Sequence, residues 1–307
     1  MTLVLTINGT ETIWLLVDRR LTYKNRPPRD DGHKVLFLET TDGVAILGYA
    51  GLGATAHGTQ PADWMSGVLR GCNLPLEQSL DVLAQAMKRQ LPRHMLQMPG
   101  PALPAHNVLI TAFIDGQPHL YTIDLALERG GKRLAFRFTR HVVPTSNPKK
   151  VRTPRLGITG SGVAFLLKDK KWIRSLLHVV RACDRRQVSP YVVADFLANL
   201  NHLVHIGTPD MSVGPNCIVA WRHRKEGVHK GGGAHQFYAG TARDPNSVAL
   251  PIIANGMDVR ALVEVVMPQM TKFMESIQQG QTPPDLDKDE INAALSTLPD
   301  QPEEDLV

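Results

Sequence analysis

Four residues in the first fifty or so positions, Thr2, Asp18, Lys34 and Gly51, are of the types that one acyl-transfer site uses together. A threonine directly after the initiator methionine becomes N-terminal once an aminopeptidase that accepts small second residues removes Met1. Nucleophile and base then belong to one residue. The hydroxyl attacks, and the α-amine, with an ordinary pKa of about 7.7–8.0, takes its proton near neutral pH. A lysine held by a carboxylate beside that hydroxyl lowers the cost of forming the alkoxide, and a glycine N–H can donate to an oxyanion. Each of the four taken singly is an ordinary strand-end residue, so it is their joint spacing that carries information.

The elements that must position them read as strands. Residues 3–7 and 12–17 are rich in β-formers, and Asn8-Gly9 between them is a strong hairpin signal. Asp18 ends the second run, Lys34 begins a third at 34–38, and a fourth at 44–49 runs into Ala50-Gly51-Leu52-Gly53. Strands of one sheet with these starts and ends bring Thr2, Asp18, Lys34 and Gly51 to one edge.

The order Thr2, Asp18-Arg19-Arg20, Lys34-Val35, Gly48-Tyr49-Ala50-Gly51 resembles the β-subunits of the proteasome and their bacterial relatives. Aspartate and lysine stand at that family's own intervals from the threonine, and Gly51 requires a small insertion, placed in the turn Thr40-Thr41-Asp42-Gly43. The resemblance implies an N-terminal-nucleophile hydrolase with Thr2 as nucleophile and base, Lys34 tuning it, Asp18 orienting Lys34 and the Gly51 N–H as oxyanion donor. Gly160-Ser161-Gly162 is similar to the family's Gly-Ser-Gly, whose serine bonds the catalytic amine. Asp210-Met211-Ser212 stands where the family has an aspartate and a serine near the same amine, with one residue fewer between them. By the same alignment Tyr49 forms the floor of the pocket for the residue before the scissile bond, and Arg20 lies near its wall. The resemblance covers roughly residues 2–240 and implies subunits that assemble into rings, and it leaves open whether an unfoldase or adaptor works with them.

Composition is consistent with a large folded body. The chain has 307 residues, 43% of them hydrophobic, enough for one large core or two modest ones. No apolar run is long enough to span a bilayer, and the N-terminus lacks a basic leader, so neither membrane nor secretion is expected. Cys72, Cys183 and Cys217 are scattered and odd in number, which fits a reducing cytoplasm. The formal charge of +5 hides an uneven distribution: residues 285–307 carry eight acids against one lysine, leaving a basic body. That body lacks the interleaved aromatics of a base-stacking platform, so nucleic acid is not an expected partner.

Downstream, residues 62–69 read as a short helix and 76–91 as a longer one with Leu76, Leu80, Leu83, Ala84 and Met87 on one face, ended by Pro92. Strands are expected at 107–114, 120–125, 133–143 and 155–159, helices at 163–181 and 192–205, and strands again at 217–221 and 236–239, with Gly231-Gly232-Gly233 as a turn between the last two. His202 and His205 are read as a helix face and not as metal ligands, since no third ligand motif accompanies them, and His223, His229 and His235 match no zinc spacing. Residues 257–278 repeat as a helix through Val259, Leu262, Val263, Val266, Met267, Met270, Phe273 and Met274, an apolar stripe expected to pack on the body.

The reading is therefore an α+β fold, a four-layer αββα sandwich of the N-terminal-nucleophile type with a C-terminal helical extension. Residues 1–244 form the hydrolase domain, 245–280 the extension and 281–307 an acidic tail expected to be largely disordered, with a short helix at 291–298. The function expected is a threonine peptidase or amidase working through a Thr2 acyl-enzyme, with no cofactor and no metal, on a peptide or small amide, as a homo-oligomer. The alternatives are an amidase or acylase acting on a non-peptide substrate and a non-catalytic ring or interaction subunit.

Overall fold

The computed structural model describes residues 2–21, 27–51, 59–97, 106–127, 134–141, 155–208, 212–224, 231–242, 250–282, 285 and 287–296. Two sheets stack face to face, and helices cover the outer face of each. The first sheet contains β1 (Leu3–Asn8), β2 (Thr12–Asp18), β8 (Arg155–Gly160), β9 (Asn216–His223), β10 (Gly232–Tyr238) and β11 (Thr241–Ala242), in the order β11-β10-β9-β2-β1-β8. The second contains β3 (Val35–Glu39), β4 (Gly43–Ala50), β5 (Asn107–Ile114), β6 (Gln117–Leu127), β7 (Leu134–Arg140), β12 (Ile252–Ala254) and β13 (Met257–Asp258), in the order β13-β12-β3-β4-β5-β6-β7. Neighbouring strands are antiparallel except β12 on β3.

The layers follow from side-chain alternation on strands buried on both faces. Leu3, Leu5 and Ile7 of β1 and Trp14 and Leu16 of β2 point outward to α3 (Val163–Lys168), α4 (Lys171–Asp184) and α5 (Pro190–Gly207), while Val4, Ile13, Leu15 and Val17 point inward. On the second sheet Ala45, Leu47 and Tyr49 face α1 (Pro61–Leu69) and α2 (Leu76–Gln97), and Val44, Ile46 and Ala50 meet the first sheet. Three cores in this order make an α+β, four-layer αββα sandwich. Among the described residues no helix is long and apolar enough to cross a membrane.

Several local expectations change. Helix α2 does not stop at Pro92 but runs to Gln97; proline removes one donor from the ladder, and the bonds on either side continue the helix. The single helix expected over 163–181 is two, because Asp169 adopts an extended conformation that ends the first, and its carboxylate accepts the N–H of Lys171 at the start of the second. Gly232 and Gly233 are strand residues and not a turn: a Cβ on Gly233 would lie 2.5 Å from the Trp221 ring, so the strand passes beneath that indole only as glycine. The loop expected around 147–150 lies outside the described residues.

The chain ends in two helices, α6 (Val259–Gln278) and α7 (Lys288–Ser296). Asp258 caps α6 by accepting the Ala261 N–H at 3.1 Å and ties it to the body through Ser66 and Arg70, each at 2.8 Å. The α6 stripe is covered in part: Val259, Leu262, Val266 and Phe273 are half-buried. Ala261 is the helix's buried residue, whereas Val263, Met267, Met270, Met274 and Ile277 are exposed.

Candidate active site

The hairpin β1–β2 sets the site. The register Val4↔Val17 places Thr2 and Leu3 beside Asp18, and β8 runs on the other side of β1 with Gly160 opposite Leu3. Lys34 stands at the mouth of β3, in the second sheet, so the cluster bridges the two sheets at one end of the sandwich. All three side chains are buried, Thr2 at 2%, Asp18 at 0% and Lys34 at 3% exposure.

Lys34 Nζ donates to Thr2 Oγ1 at 2.7 Å, to the Arg20 carbonyl at 2.6 Å and, more weakly, to Asp18 Oδ1 at 3.4 Å. The three protons of the ammonium thus have three acceptors. Thr2 Oγ1 in turn donates to Asp18 Oδ1. The carboxylate is fixed from the main chain as well: Leu3 N–H reaches Oδ1 at 2.8 Å, and the N–H groups of Arg20 and Gly214 reach Oδ2 at 3.0 and 3.1 Å. Bonds of this kind hold a buried carboxylate in one orientation. Burial pushes the Lys34 ammonium below its ordinary pKa, and Asp18 opposes that shift. The result is a lysine whose charge depends on one neighbour and whose proton points at the threonine oxygen.

A second group holds the threonine backbone. Ser161 N–H donates to the Thr2 carbonyl at 2.8 Å, the Ser161 hydroxyl lies 3.4 Å from the same oxygen, and Ser212 Oγ donates to Ser161 Oγ at 2.8 Å. Gly160 makes this approach possible. Its φ of +100° is left-handed, and a Cβ there would sit 1.9 Å from the Thr2 carbonyl oxygen. The strand-to-helix turn at 160–162 therefore locks the residue that carries the hydroxyl.

Of the remaining sequence candidates, Arg20 joins this centre directly, through its main chain. Gly51 follows β4 with φ +145°, and a Cβ on it would lie 2.5 Å from His106 Nδ1, so the backbone at Gly51 passes close to that imidazole. Arg20 contributes main-chain groups to the centre, while its guanidinium turns to Asp30, pairing Nε with Oδ1 and Nη2 with Oδ2, each at 2.8 Å. The Tyr49 ring lies in the core between the second sheet and α1 and α2, and its hydroxyl meets His106 Nδ1 at 2.9 Å. Asp210 lies outside the described residues.

Sequence reasoning passed over the strap that delivers Lys34. Arg19 reaches the carbonyls of Gly32 and Asp31 at 3.2 and 2.8 Å, Leu21 pairs with Arg29, Asp30 holds Arg20, and the Asn216 amide bonds the Asp30 carbonyl at 3.2 Å. The signal was the density of charge over residues 29–31 opposite Arg19-Arg20, which strand-pattern reading treats as loop composition. His106 carries no comparable signal, since it follows a proline-rich stretch and becomes relevant only because β5 pairs beside Gly51. Among the described residues no group of acidic, histidine or cysteine side chains forms a metal site.

No protein-family model matches the chain, and no curated protein matches it. Among solved structures it is similar to a Gly-1 mutant of Anbu from Hyphomicrobium sp. strain MC1, with 13% identity, 78% of this chain and 89% of that one covered, and a TM-score of 0.48. It is similar also to the Anbu complex from Pseudomonas aeruginosa, described as a helical assembly, with 12% identity, coverage of 92% and 98%, and a TM-score of 0.45. Anbu from Yersinia bercovieri, described as an ancestral beta-subunit, gives 10% identity, coverage of 72% and 81%, and a TM-score of 0.43. The resemblance to the β-subunits of the proteasome and their bacterial relatives is corrected by these findings: the similar structures are Anbu proteins, and at 10–13% identity they give this chain no family assignment. The four-layer architecture rests on the sheets and cores described above.

Proposed function

We propose that the chain is an N-terminal threonine hydrolase that cleaves amide bonds, most readily in peptides, after removal of Met1. The observation that supports this most is the buried contact of Lys34 Nζ with Thr2 Oγ1 at 2.7 Å, in a cluster anchored by Asp18. A lysine and an aspartate buried together contribute little net stability once desolvation is counted, so their placement beside a threonine hydroxyl favours a chemical role over a structural one.

In this reading the free Thr2 α-amine takes the hydroxyl proton, and Thr2 Oγ1 attacks the carbonyl carbon. Lys34 stabilises the developing alkoxide, and the Gly51 N–H donates to the oxyanion. The tetrahedral intermediate expels the amine, which receives the proton, and leaves an ester on Oγ1. Water then attacks the ester and releases the acid. Asp18 keeps Lys34 charged and aimed. Ser161, Ser212 and Asp210 order the chain around the amine, and Arg20 and Tyr49 bound the substrate side. Every group in these steps belongs to the chain.

The unit carrying the reaction is assigned to residues 1–244, with 245–280 as a helical extension and 281–307 as an acidic tail. The same reading takes the protein to work as a homo-oligomer in a reducing cytoplasm. Thr2→Ala tests it: the variant keeps the wild-type melting curve and loses turnover of a fluorogenic peptide found with processed protein. Wild-type turnover in the variant, or intact mass showing Met1 fully retained in active protein, overturns it.

A further inference from the structure

Strand β4 leads into Gly51 and lies between β3 and β5 in the second sheet. On the β3 side the link to the first sheet is Lys34, whose Nζ reaches Thr2 Oγ1 at 2.7 Å. The β5 side has a link of its own. Asn107, the first residue of β5, donates from Nδ2 to Thr159 Oγ1 of β8 at 2.7 Å, crossing from one sheet to the other. Each end of that bond adjoins a residue next to the reacting groups. Asn107 pairs with Ala50, so its neighbour His106 stands against Gly51, where a Cβ would lie 2.5 Å from the imidazole Nδ1 and 3.2 Å from its Cα. Thr159 pairs with Val4 and precedes Gly160, whose missing Cβ lets the turn close on the Thr2 carbonyl.

We propose that Asn107 and Thr159 are positioning residues for amide cleavage, their bond fixing the Gly51 N–H relative to Thr2 Oγ1. The proposal rests on the Thr2 reading and adds to it the device that keeps nucleophile and oxyanion donor, which belong to different sheets, in register. Three observations favour this role over a purely structural one. First, the bond spans the sheets at the end that carries the site, and together with Lys34 it straddles β4, so the strand leading to the donor is fixed on both flanks. Second, the groups adjoining the bond leave little slack. His106 is buried with Nδ1 2.9 Å from the Tyr49 hydroxyl, itself in the core, so a shift of β5 passes to Gly51 by contact. At the other end, the left-handed Gly160 already brings its Cα as near the Thr2 carbonyl as a residue without a Cβ can. Third, Asn107 Oδ1 is buried and has no hydrogen-bond partner among the described residues. An unpaired buried amide oxygen costs at least as much stability as one neutral hydrogen bond returns, so stability alone does not account for asparagine here.

The far end of the sandwich supplies an internal control. Thr111 Oγ1 of β5 donates to Asn8 Oδ1 of β1, also at 2.7 Å, so a cross-sheet bond of the same length stands at the opposite end of β1 from Thr2. Loss of an oxyanion donor outright costs about 10²–10³-fold in kcat, and a donor that is kept but loosened is expected to cost about tenfold.

Steady-state kinetics of the full, Met1-processed chain on the fluorogenic peptide tests this, with a melting curve for every variant. Thr159→Val removes the hydroxyl and keeps the shape, and Asn107→Ala removes the amide. Each is expected to lower kcat and kcat/KM together, about tenfold, with KM unchanged, the mark of an interaction realised only in the transition state. The double variant falls no further than the lower single one, because both changes break one bond. Thr159→Ser, which keeps the oxygen, recovers kcat, and Thr111→Val lowers the melting temperature without lowering kcat. Should Asn107→Ala fail to fold, the contrast between Thr159→Val and Thr159→Ser decides. Unchanged kcat in Thr159→Val, losses that multiply in the double variant, or an equal kcat loss in Thr111→Val overturns the proposal. Acyl mass on wild-type Thr2 during turnover separates the two readings: with Thr2 acylated these outcomes overturn the positioning role alone, and with Thr2 bare both fall.

Discussion

The two ends of this chain invert the usual partition of polar and apolar groups. Around Thr2 an ammonium and a carboxylate are sealed inside the sandwich, and along α6 valine, methionine and isoleucine face outward. The first arrangement survives because the three ammonium protons and both carboxylate oxygens have partners, four of them main-chain groups of Leu3, Arg20 and Gly214. The second has no such compensation within one chain. Buried charge held by backbone stands at one end, and apolar surface at helical spacing, uncovered by any described residue, stands at the other.

The sharpest way to break this comparison is at the buried end. Lys34→Ala removes the group that polarises the nucleophile and is expected to lower kcat by about 10²–10⁴-fold, the range for loss of an acid–base group, with steady-state kinetics as the check. Lys34→Arg rescues poorly, because a planar guanidinium cannot reproduce three donors converging on Thr2, Asp18 and the Arg20 carbonyl. Gly160→Ala comes next. Its Cβ would collide with the Thr2 carbonyl at a left-handed φ, so thermal denaturation is expected to show a loss of about 2–4 kcal/mol, and any folded fraction to be poorly active.

A smaller effect separates charge from packing. Burial lowers the Lys34 pKa, and the mechanism needs the charged form, so kcat/KM falls as pH rises through that lowered value, below the ordinary lysine figure of about 10.4. The sign for stability is opposite. The folded state binds fewer protons than the unfolded one between the lowered pKa and the ordinary one, so this residue's contribution rises with pH across that window. In Lys34→Arg the alkaline limb is expected to vanish from the pH–rate profile; its persistence assigns the limb elsewhere. The smallest effect is on α6, where Met267→Glu on a half-exposed face changes unfolding free energy by no more than about 0.5 kcal/mol in dilute monomer. A larger loss means that this face packs on its own body.

Much of the sandwich was legible because strands buried on both faces and helices with one apolar face leave distinct periods in sequence. Residues 3–7, 12–17 and 107–114 show this, and so does the helix beginning at Leu76. What was illegible depended on single backbone bonds or on tertiary context. Pro92 lies within a helix that its neighbours sustain, Asp169 splits a continuous apolar repeat by turning the backbone extended, and Gly233 is dictated by a tryptophan on the adjacent strand. At the site, Thr2, Asp18 and Lys34 were readable from spacing, since strand lengths fix where each begins or ends. The strap through Asp30 and the approach of His106 to Gly51 were not, because both arise from loops whose partners lie far along the chain or on another strand. The α6 stripe was readable as a repeat, but the repeat carries no information about what covers it.

The central claim is that Thr2 Oγ1 carries the acyl group. Mass spectrometry of enzyme quenched during turnover of an activated ester or peptide measures this directly. The account predicts an N-terminal fragment that begins at Thr2, lacks Met1 and bears the acyl mass, lost in Thr2→Ala. Active protein that keeps Met1, or an acyl group found on another residue, would contradict it.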